Sequence, residues 1–166
     1  SIMRRWCELY LEHQEDLARL MTVEMGKPIA ESRGEVLYAA SFIDWFAEEG
    51  RRTYGDVIPP HQQDKRILVL KQPVGVCAAI TPWNFPMAIP SWKTMPAVMA
   101  GNTVVIKPSE YTPLSTLKTI ELAFDHLPPG VVNVVHGRGS TTGDALVRHA
   151  GVDRIAFTGG TATARH

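Results

Sequence analysis

The first fifty residues alternate apolar and polar positions with the period of an α-helix. Between residues 2 and 25 apolar side chains recur every three or four positions, and charged side chains fill the opposite face. Gly26 and Pro28 then supply a stop, and a second helical pattern runs over residues 30–49. We therefore predict two amphipathic helices. Their inner, packing positions are predicted to be Met3, Trp6, Leu9, Tyr10, Leu17, Leu20, Met21, Val36, Leu37, Ala40, Ile43, Trp45, Phe46 and Ala47.

The pattern changes over residues 51–73, where Gly, Pro and polar residues separate two short apolar runs. Strands are predicted at residues 53–54 and 66–70, with turn residues between them. Ile67 and Val69 would form a vulnerable exposed edge if this strand pair stayed without a partner. We therefore expect the pair to bury its apolar side against something else.

The remainder of the chain alternates short apolar runs with longer amphipathic stretches. Such alternation predicts an α/β fold with a parallel, doubly wound sheet. The predicted strands are residues 76–80, 103–107, 131–135 and 154–157, and the predicted helices are residues 91–100, 113–126 and 141–149. The middle helix is predicted to have Thr112 as its N-cap, Pro113 in its first turn, and Leu114, Leu117, Ile120, Phe124 and Leu127 on its inner face.

Composition and charge exclude several classes of function. The 166 residues are 45% apolar and carry 17 basic and 17 acidic side chains, so nothing favours nucleic acid or an anionic membrane surface. No apolar run is long enough to span a membrane. The six histidines lack ligand spacing, so we predict no metal site. The two cysteines, Cys7 and Cys77, do not make a disulfide framework, and we expect a reducing, cytoplasmic location.

A stiff loop follows the first strand of the predicted parallel sheet. Residues 80–86 read Ile-Thr-Pro-Trp-Asn-Phe-Pro, and the two prolines restrict the backbone on either side of Asn84. The uncharged amide of Asn84 could donate a hydrogen bond to a developing oxyanion without titrating. Alternatively, Asn84 could simply close a turn beside the prolines, which is the more common role for an Asn.

Two other strands also end in polar residues. Lys107 and Glu110 could hold the hydroxyls of an adenosine ribose, although a Lys/Glu pair is also an ordinary surface feature. Residues 158–160, Thr-Gly-Gly, could offer free backbone N–H groups to a pyrophosphate. The glycines at 137, 139 and 143 do not have the spacing G-x-G-x-x-G, so by themselves they are a weak signal.

Four ordered motifs resemble those of the aldehyde dehydrogenase superfamily. They are Thr-Pro-Trp-Asn-Phe-Pro at 81–86, Val-Ile-Lys-Pro-Ser-Glu at 105–110, Gly-Arg-Gly at 137–139 and Phe-Thr-Gly-Gly-Thr at 157–161, and the resemblance covers essentially the whole chain in one register. It implies a Rossmann-like cofactor domain and an NAD(P)-dependent oxidation of an aldehyde to a carboxylic acid. In this family a cysteine thiolate forms a thiohemiacetal, hydride passes to the nicotinamide, and an activated water hydrolyses the thioester.

The resemblance also assigns site residues. Asn84 is the expected catalytic residue, donating to the oxygen of the thiohemiacetal. We expect NAD rather than NADP, because the charge and volume of Glu110 disfavour a 2′-phosphate, with NADP as the alternative. The family usually has Ser where this chain has Gly160, so one phosphate hydrogen bond is expected to be missing. The cofactor-binding residues implied by the resemblance are Ile80, Thr81, Pro82, Trp83, Lys107, Ser109, Glu110, Gly139, Gly143, Phe157, Thr158, Gly159 and Gly160.

Three segments follow from the same resemblance. Residues 1–50 would be the helical part of the cofactor domain, residues 51–73 an oligomerisation arm, and residues 74–166 the dinucleotide-binding α/β part, truncated before a catalytic domain. A homo-oligomer, dimer or tetramer, is expected for the full-length protein. The nucleophilic Cys and the general-base Glu of the family have no counterpart here, so the chain alone is expected to be inactive. The alternative is a truncated homologue that acts only in cofactor binding or assembly.

The substrate is left open by two conflicting signals. Residues 12–21, 26–28 and 39–50 are similar to the succinate-semialdehyde dehydrogenase branch of the family. That branch typically carries an Arg after the Asn motif, which can pair with the distal carboxylate of the substrate. This chain has Trp92 at that position, and an indole cannot form such a pair. With Trp83 and Met87, Trp92 would favour an apolar or aromatic aldehyde, unless it only packs its helix.

Overall fold

The computed structural model describes residues 1–165 and has a helical first part, a hairpin, and an α/β part. The helices are α1 (Ile2–Glu12), α2 (Gln14–Met25), α3 (Ile29–Glu49), α4 (Ala88–Met99), α5 (Pro113–Glu121), α6 (Asp144–Val147) and α7 (Thr161–Ala164). The strands are β1 (Asp56–Ile58), β2 (Ile67–Val69), β3 (Val76–Ile80), β4 (Thr103–Lys107), β5 (Val132–Val134) and β6 (Arg154–Phe157).

The main sheet has four parallel strands in the order β5-β4-β3-β6. The α/β, Rossmann-like prediction is therefore confirmed. The bounds of β3, β4 and β6 are those predicted, while β5 is one residue shorter at each end. Ile80 pairs in register with Lys107 on one side and with Phe157 on the other. These three residues therefore end their strands at the same edge of the sheet.

Three helices, not the predicted two, precede the sheet. The first predicted helix is broken at His13, whose ψ of 19° lies outside the helical range, so α1 and α2 pack separately against α3. Of the predicted inner positions, Leu37 and Trp45 are wrong, since both are exposed. The buried face of α3 instead includes the polar residues Ser32 and Glu35. The inner face of α3 therefore combines the predicted apolar positions with two polar residues.

The predicted strand pair exists, but its first strand was placed too early. Strand β1 pairs antiparallel with β2, so that Val57 lies opposite Leu68. Thr53 does not join it, because its hydroxyl donates to the carbonyl of Gly50 at 3.1 Å and closes the turn that follows α3. Most side chains of both strands are exposed. The hairpin therefore lies outside the hydrophobic core.

The helices that cross the sheet differ from prediction at their ends. Helix α4 begins at residue 88 instead of 91, and α5 ends at Glu121, followed by a separate 3₁₀ turn at Phe124–His126. The helix predicted over residues 141–149 is a π turn at Gly139–Gly143 followed by the short α6. The last residue of the third predicted segment, His166, lies outside the described residues.

Of the inner positions predicted for α5, Ile120 is buried and Leu127 packs against the core, as predicted, but hydroxyl side chains also turn inward. Leu114 and Phe124 are exposed, whereas Thr116 and Thr119 are buried. The small side chains allow close packing, and the indole N–H of the buried Trp6 donates to the Thr119 carbonyl at 2.8 Å. The Thr116 hydroxyl donates to the Pro86 carbonyl and the Thr119 hydroxyl to the Thr116 carbonyl, so both buried threonines have partners.

The N-terminus of α5 is capped from a distant helix. Thr112 is the N-cap residue and Pro113 begins the helix, as predicted, but the Thr112 side chain makes no capping hydrogen bond. Instead, the Glu24 carboxylate accepts from the backbone N–H groups of Leu114 and Ser115, the latter at 2.9 Å. A carboxylate at a helix N-terminus satisfies free N–H groups and interacts favourably with the helix dipole. The end of α2 thus holds the start of α5.

Within residues 1–165, none of the helices has the length and apolar character that a membrane span requires.

Candidate functional site

A cleft opens at the carboxyl edge of the parallel sheet, where β3, β4 and β6 end. The strand ends are held together by two hydrogen bonds. Thr81 N–H donates to the Lys107 carbonyl at 3.2 Å, and Thr158 N–H donates to the Ile80 carbonyl at 3.1 Å. The cleft has a volume of about 520 Å³. Its lining residues are Ile80, Thr81, Pro82, Trp83, Asn84, Glu110, Phe157, Thr158, Gly159, Gly160 and Thr163.

Ten of the predicted site residues therefore lie in one cleft, and four do not line it. Lys107 and Ser109 are buried beneath the surface. Gly139 and Gly143 belong to the π turn, although Gly139 reaches the site through a backbone hydrogen bond described below. Thr163 of α7 was missed by the sequence analysis; its only signal is that it lies about one turn after Gly160.

Asn84 sits in the loop between β3 and α4 with its side chain exposed in the cleft wall. Within residues 1–165 its amide group makes no hydrogen bond. Its backbone, in contrast, is fixed, since its carbonyl accepts from the Lys27 ammonium at 2.8 Å. The next carbonyl but one, that of Pro86, accepts from the Thr116 hydroxyl at 2.7 Å. A fixed backbone with a free amide is the arrangement required of an oxyanion donor.

Lys27 and Glu35 lie under this loop, and the sequence analysis did not select them as functional. Glu35 is 3% exposed, pairs with the Lys27 ammonium, and accepts from the backbone N–H of Met87 at 2.9 Å. The Lys27 ammonium also lies 4.2 Å from the centre of the Phe85 ring. A signal did exist, because Glu35 stands among buried positions on the inner face of α3. A carboxylate in such a place needs a partner.

Glu110 presents its carboxylate to the cleft and is held on the protein side. Lys107, which is almost fully buried, donates to it at 3.1 Å. A hydrogen bond from its own backbone N–H lowers the pKa of Glu110, and the Lys107 ammonium and the N–H of Gly139 lower it further. Glu110 is therefore ionised at neutral pH and is oriented to accept hydrogen bonds from a ligand.

The turn after β6 offers fewer free backbone groups than predicted, because the Thr158 N–H already donates to the Ile80 carbonyl, but it has open space. Gly160 precedes α7 and has an ordinary backbone φ of −67°; a Cβ added there would meet no atom within 4 Å. At Gly159, in contrast, a Cβ would lie 2.6 Å from the Phe157 ring. Gly159 is therefore needed for close approach of the backbone, whereas Gly160 leaves room for a side chain or ligand.

The donors and acceptors of the cleft suit a dinucleotide. The Thr81 hydroxyl is buried in the cleft wall and, among the described residues, has no hydrogen-bond partner. A buried polar group without a partner costs free energy unless a ligand or water satisfies it. The Thr81 oxygen is itself inaccessible, so the groups presented to a ligand are the Glu110 carboxylate and the space beside Gly160, which suit the hydroxyls and phosphates of NAD(P).

Trp92, the residue that bears on substrate choice, packs against aromatic side chains of α3. Its ring meets that of Phe42 at 5.6 Å, edge to face, and Phe42 meets Tyr38 at 4.8 Å. The neighbouring Lys93 is partly buried, and this burial lowers its pKa. The predicted packing role of Trp92 is therefore supported, since its side chain packs against Phe42.

Neither cysteine contributes to the cleft. Cys77 is buried at the start of β3, and Cys7 lies on α1, where its thiol donates to the Ala40 carbonyl at 3.5 Å. Burial raises the pKa of both thiols. Because a thiolate is the reactive form, neither residue has the properties of a cysteine nucleophile.

The amino-acid sequence was compared with protein-family profiles and with known proteins. The sequence profile of the aldehyde dehydrogenase family matches residues 1–166. The chain is 55% identical over 166 residues to a succinate-semialdehyde dehydrogenase [NADP(+)] of Escherichia coli, covering 99% of this chain and 34% of that protein. It is 55% identical over 164 residues to a glutarate-semialdehyde dehydrogenase of Pseudomonas putida, covering 98% of this chain and 34% of that one.

A solved structure also has the same fold as this chain. The crystal structure of PnpE in complex with nicotinamide adenine dinucleotide superposes with a TM-score of 0.95 at 46% identity, over 99% of this chain and 34% of that one. The chain thus spans about a third of the length of the proteins it matches.

Proposed function

The chain belongs to the aldehyde dehydrogenase family, and we propose that it supplies the cofactor site and the oxyanion donor of an enzyme that oxidises an aldehyde to a carboxylic acid. One observation carries the proposal: the free amide of Asn84 and the oriented carboxylate of Glu110 line the same cleft. The first is suited to the reacting oxygen and the second to the cofactor. The nucleophile and the general base would come from other parts of a full-length enzyme.

Asn84 would act on the carbonyl oxygen of the aldehyde. As a nucleophile adds, negative charge grows on that oxygen, and an amide N–H aimed at it stabilises the transition state more than the ground state. Because the Asn84 backbone is already held by Lys27, little reorganisation is needed when the charge develops. The amide does not titrate near neutral pH, so its donor capacity is constant.

Glu110 would hold the ribose of the cofactor, which when bound accepts the hydride. We propose NAD as the preferred form, since the ionised carboxylate repels a 2′-phosphate. NADP is the alternative, and the E. coli relative is named as an NADP(+) enzyme. Lys107 keeps the carboxylate in place from below.

Glu110→Ala is expected to weaken NAD binding tenfold or more, because hydrogen bonds to a charged acceptor contribute about 1.5–3 kcal/mol each. Isothermal titration calorimetry of the chain with NAD measures this. Glu121→Ala is the matched control, since Glu121 is an exposed glutamate paired with a lysine three residues away on α5. Equal affinity of Glu110→Ala and the parent would remove Glu110 from the cofactor site.

Gly160→Ser is expected to tighten binding of NAD by a similar factor, because the structure leaves space for the side chain and its hydroxyl could donate to a phosphate. Gly159→Ser serves as the opposite case and should weaken binding, since its Cβ would collide with Phe157. Titration of both variants under identical conditions compares them. Unchanged binding by Gly160→Ser would show that the phosphates do not approach this position, and weaker binding would show that the ligand needs the space that the side chain fills.

For the substrate, we propose a semialdehyde such as succinate semialdehyde, supported by what the two relatives are named to oxidise. Trp92 is the opposing observation. Its indole packs on Phe42 and offers no bidentate donor for a distal carboxylate, which would favour an apolar or aromatic aldehyde. Steady-state kinetics of a full-length enzyme carrying this chain, with succinate semialdehyde and benzaldehyde compared by kcat/KM, decides between the two.

We also propose the division into a helical part (1–50), an oligomerisation arm (51–73) and a dinucleotide-binding part (74–166). The arm assignment is supported by the β1–β2 hairpin, which exposes Val57 and Leu68 outside the core. A dimer or tetramer that buries this hairpin would remove its exposed apolar surface. The cytoplasmic location stays a prediction from the two free thiols.

A second candidate function is assembly or cofactor binding without catalysis. It is favoured by one observation, that neither cysteine of the chain lies in the cleft. Calorimetry tests the cofactor site first: micromolar NAD binding that weakens in Glu110→Ala supports an intact site, whereas no binding leaves assembly or an inert fragment. Turnover of an aldehyde by a full-length enzyme carrying this chain then separates catalysis from cofactor binding alone.

A further inference from the structure

We propose that Lys27 and Glu35 are positioning residues that aim the Asn84 amide into the cleft. The proposal rests on the proposed role of Asn84 as oxyanion donor. Neither side chain lines the cleft, and both lie beneath the loop on the side of α2 and α3. Their side chains are 9% and 1% exposed, so the ion pair between them is buried.

The pair, with Thr116 of α5, contacts every residue from 84 to 88. The Lys27 ammonium binds the Asn84 carbonyl at 2.8 Å and lies over the Phe85 ring at 4.2 Å. The Thr116 hydroxyl holds the Pro86 carbonyl at 2.7 Å. The backbone N–H groups of residues 87 and 88 donate to one oxygen of Glu35, at 2.9 and 3.2 Å. The loop and the start of α4 are therefore fixed at consecutive points.

The two oxygens of Glu35 have separate tasks. Oε1 accepts from the first N–H groups of α4, where a helix has no partners of its own. Oε2 pairs with the Lys27 ammonium and fixes its position. A buried ammonium must direct its remaining protons to acceptors, and the Asn84 carbonyl is the acceptor it finds. Glu35 on α3 thus fixes Lys27, and Lys27 in turn fixes the orientation of the Asn84 carbonyl.

Capping of α4 does not explain why Glu35 is paired with a buried cation. Capping of α4 needs only an acceptor at residue 35, which a neutral amide could provide. Apart from its pairing with Glu35, the cation contacts the loop, through Asn84 and Phe85. Removing the cation while keeping the acceptor therefore separates positioning from helix capping.

The double variant Lys27→Met/Glu35→Gln makes this separation. The glutamine at position 35 retains an oxygen for the N–H groups of α4, and the methionine at position 27 leaves no unpaired charge in the interior. The host is a full-length chimera in which this chain replaces the matching 34% of the E. coli relative. We expect kcat with succinate semialdehyde to fall roughly 10- to 100-fold, because displacement of a catalytic group by about 1 Å can have this effect. KM for the cofactor is expected to stay within about twofold.

The matched control is Arg33→Met/Glu15→Gln. This ion pair joins α2 to α3, at 2.8 Å, but it is about half exposed and does not contact the loop. Its removal is expected to leave kcat unchanged. Equal losses in the two double variants would overturn the positioning role, because they would reflect the packing of α2 on α3 alone.

Combination with Asn84→Ala tests whether Lys27 acts through Asn84. If it does, Lys27→Met/Glu35→Gln should lower kcat by less than about twofold in the Asn84→Ala background, because the two changes share one interaction. An undiminished loss in that background would overturn the proposal.

The outcomes distinguish the proposal from the function on which it rests. A folded chimera that is inactive with both succinate semialdehyde and benzaldehyde, or parent-like kcat in Asn84→Ala, contradicts the proposed function. A clear loss in Asn84→Ala with parent-like kcat in the double variant contradicts only the positioning role. If the double variant does not fold, Lys27→Arg replaces it: the cation is kept, a several-fold loss of kcat is expected, and parent-like kcat overturns the proposal.

Discussion

Asn84→Ala in the full-length chimera is expected to lower kcat roughly 100- to 1,000-fold, equivalent to about 2.7–4 kcal/mol of transition-state stabilisation. The alanine leaves the loop backbone in place, because Lys27 binds the carbonyl of residue 84 and not its side chain. Only the amide that faces the cleft is removed. Steady-state kinetics with saturating cofactor measures the change.

Asn133→Ala provides a matched control for that experiment. Asn133 is an exposed asparagine whose amide donates only to the nearby Gly130 carbonyl at 2.8 Å, at the opposite side of the sheet order from β6. Its loss is expected to leave kcat unchanged. A turnover number in Asn84→Ala that equals that of Asn133→Ala would exclude Asn84 as oxyanion donor and would return it to the simpler role of closing a turn.

Glu35→Leu is expected to reduce the free energy of unfolding of the chain by about 3–5 kcal/mol, the usual effect of removing one partner of a buried ion pair. The substitution leaves the Lys27 ammonium in the interior without its carboxylate, and it leaves two N–H groups of α4 without an acceptor. Urea denaturation followed by circular dichroism gives the value.

Glu31→Leu is the control for this second experiment. Glu31 lies one turn earlier on the same helix and is exposed, so its replacement should cost at most about 1 kcal/mol through the helix dipole. Adding Lys27→Met to Glu35→Leu should recover part of the lost stability, because the unpaired charge is then gone. A Glu35→Leu chain as stable as Glu31→Leu would show that residue 35 is solvated in the protein.

Sequence reasoning predicted the sheet more accurately than the helices. Strands β3 and β4 are continuous apolar runs ended by a loop with Pro82 and by Lys107-Pro108, so their bounds could be read directly. The inner face of α5 could not, because apolar spacing favours Leu114 whereas the structure buries Thr116 and Thr119. Those threonines are buried because of what lies opposite them, and no local pattern contains that information.

Some residues of the candidate site could be predicted from the sequence, and others could not. Asn84 and Glu110 stand in short motifs directly after strands, and the structure brings both to the cleft. Lys27 and Glu35 are 57 and 52 positions away from their loop partners, Asn84 and Met87. Only the folded chain shows that the short segment between α2 and α3 meets the loop after β3. The roles of all these residues stay predictions until the variants are measured.

The cap on α5 has a consequence for the order in which the chain folds. Glu24 accepts hydrogen bonds from the N–H groups of Leu114 and Ser115, which are 90 and 91 residues away in the sequence. Helix α5 has no side-chain cap of its own. A short, uncapped nine-residue helix is unstable in isolation. On a ribosome that synthesises the chain from its N-terminus, α2 emerges first and can serve as a template on which the later helix is completed, so α5 is expected to acquire protection from hydrogen exchange only after α2 has formed.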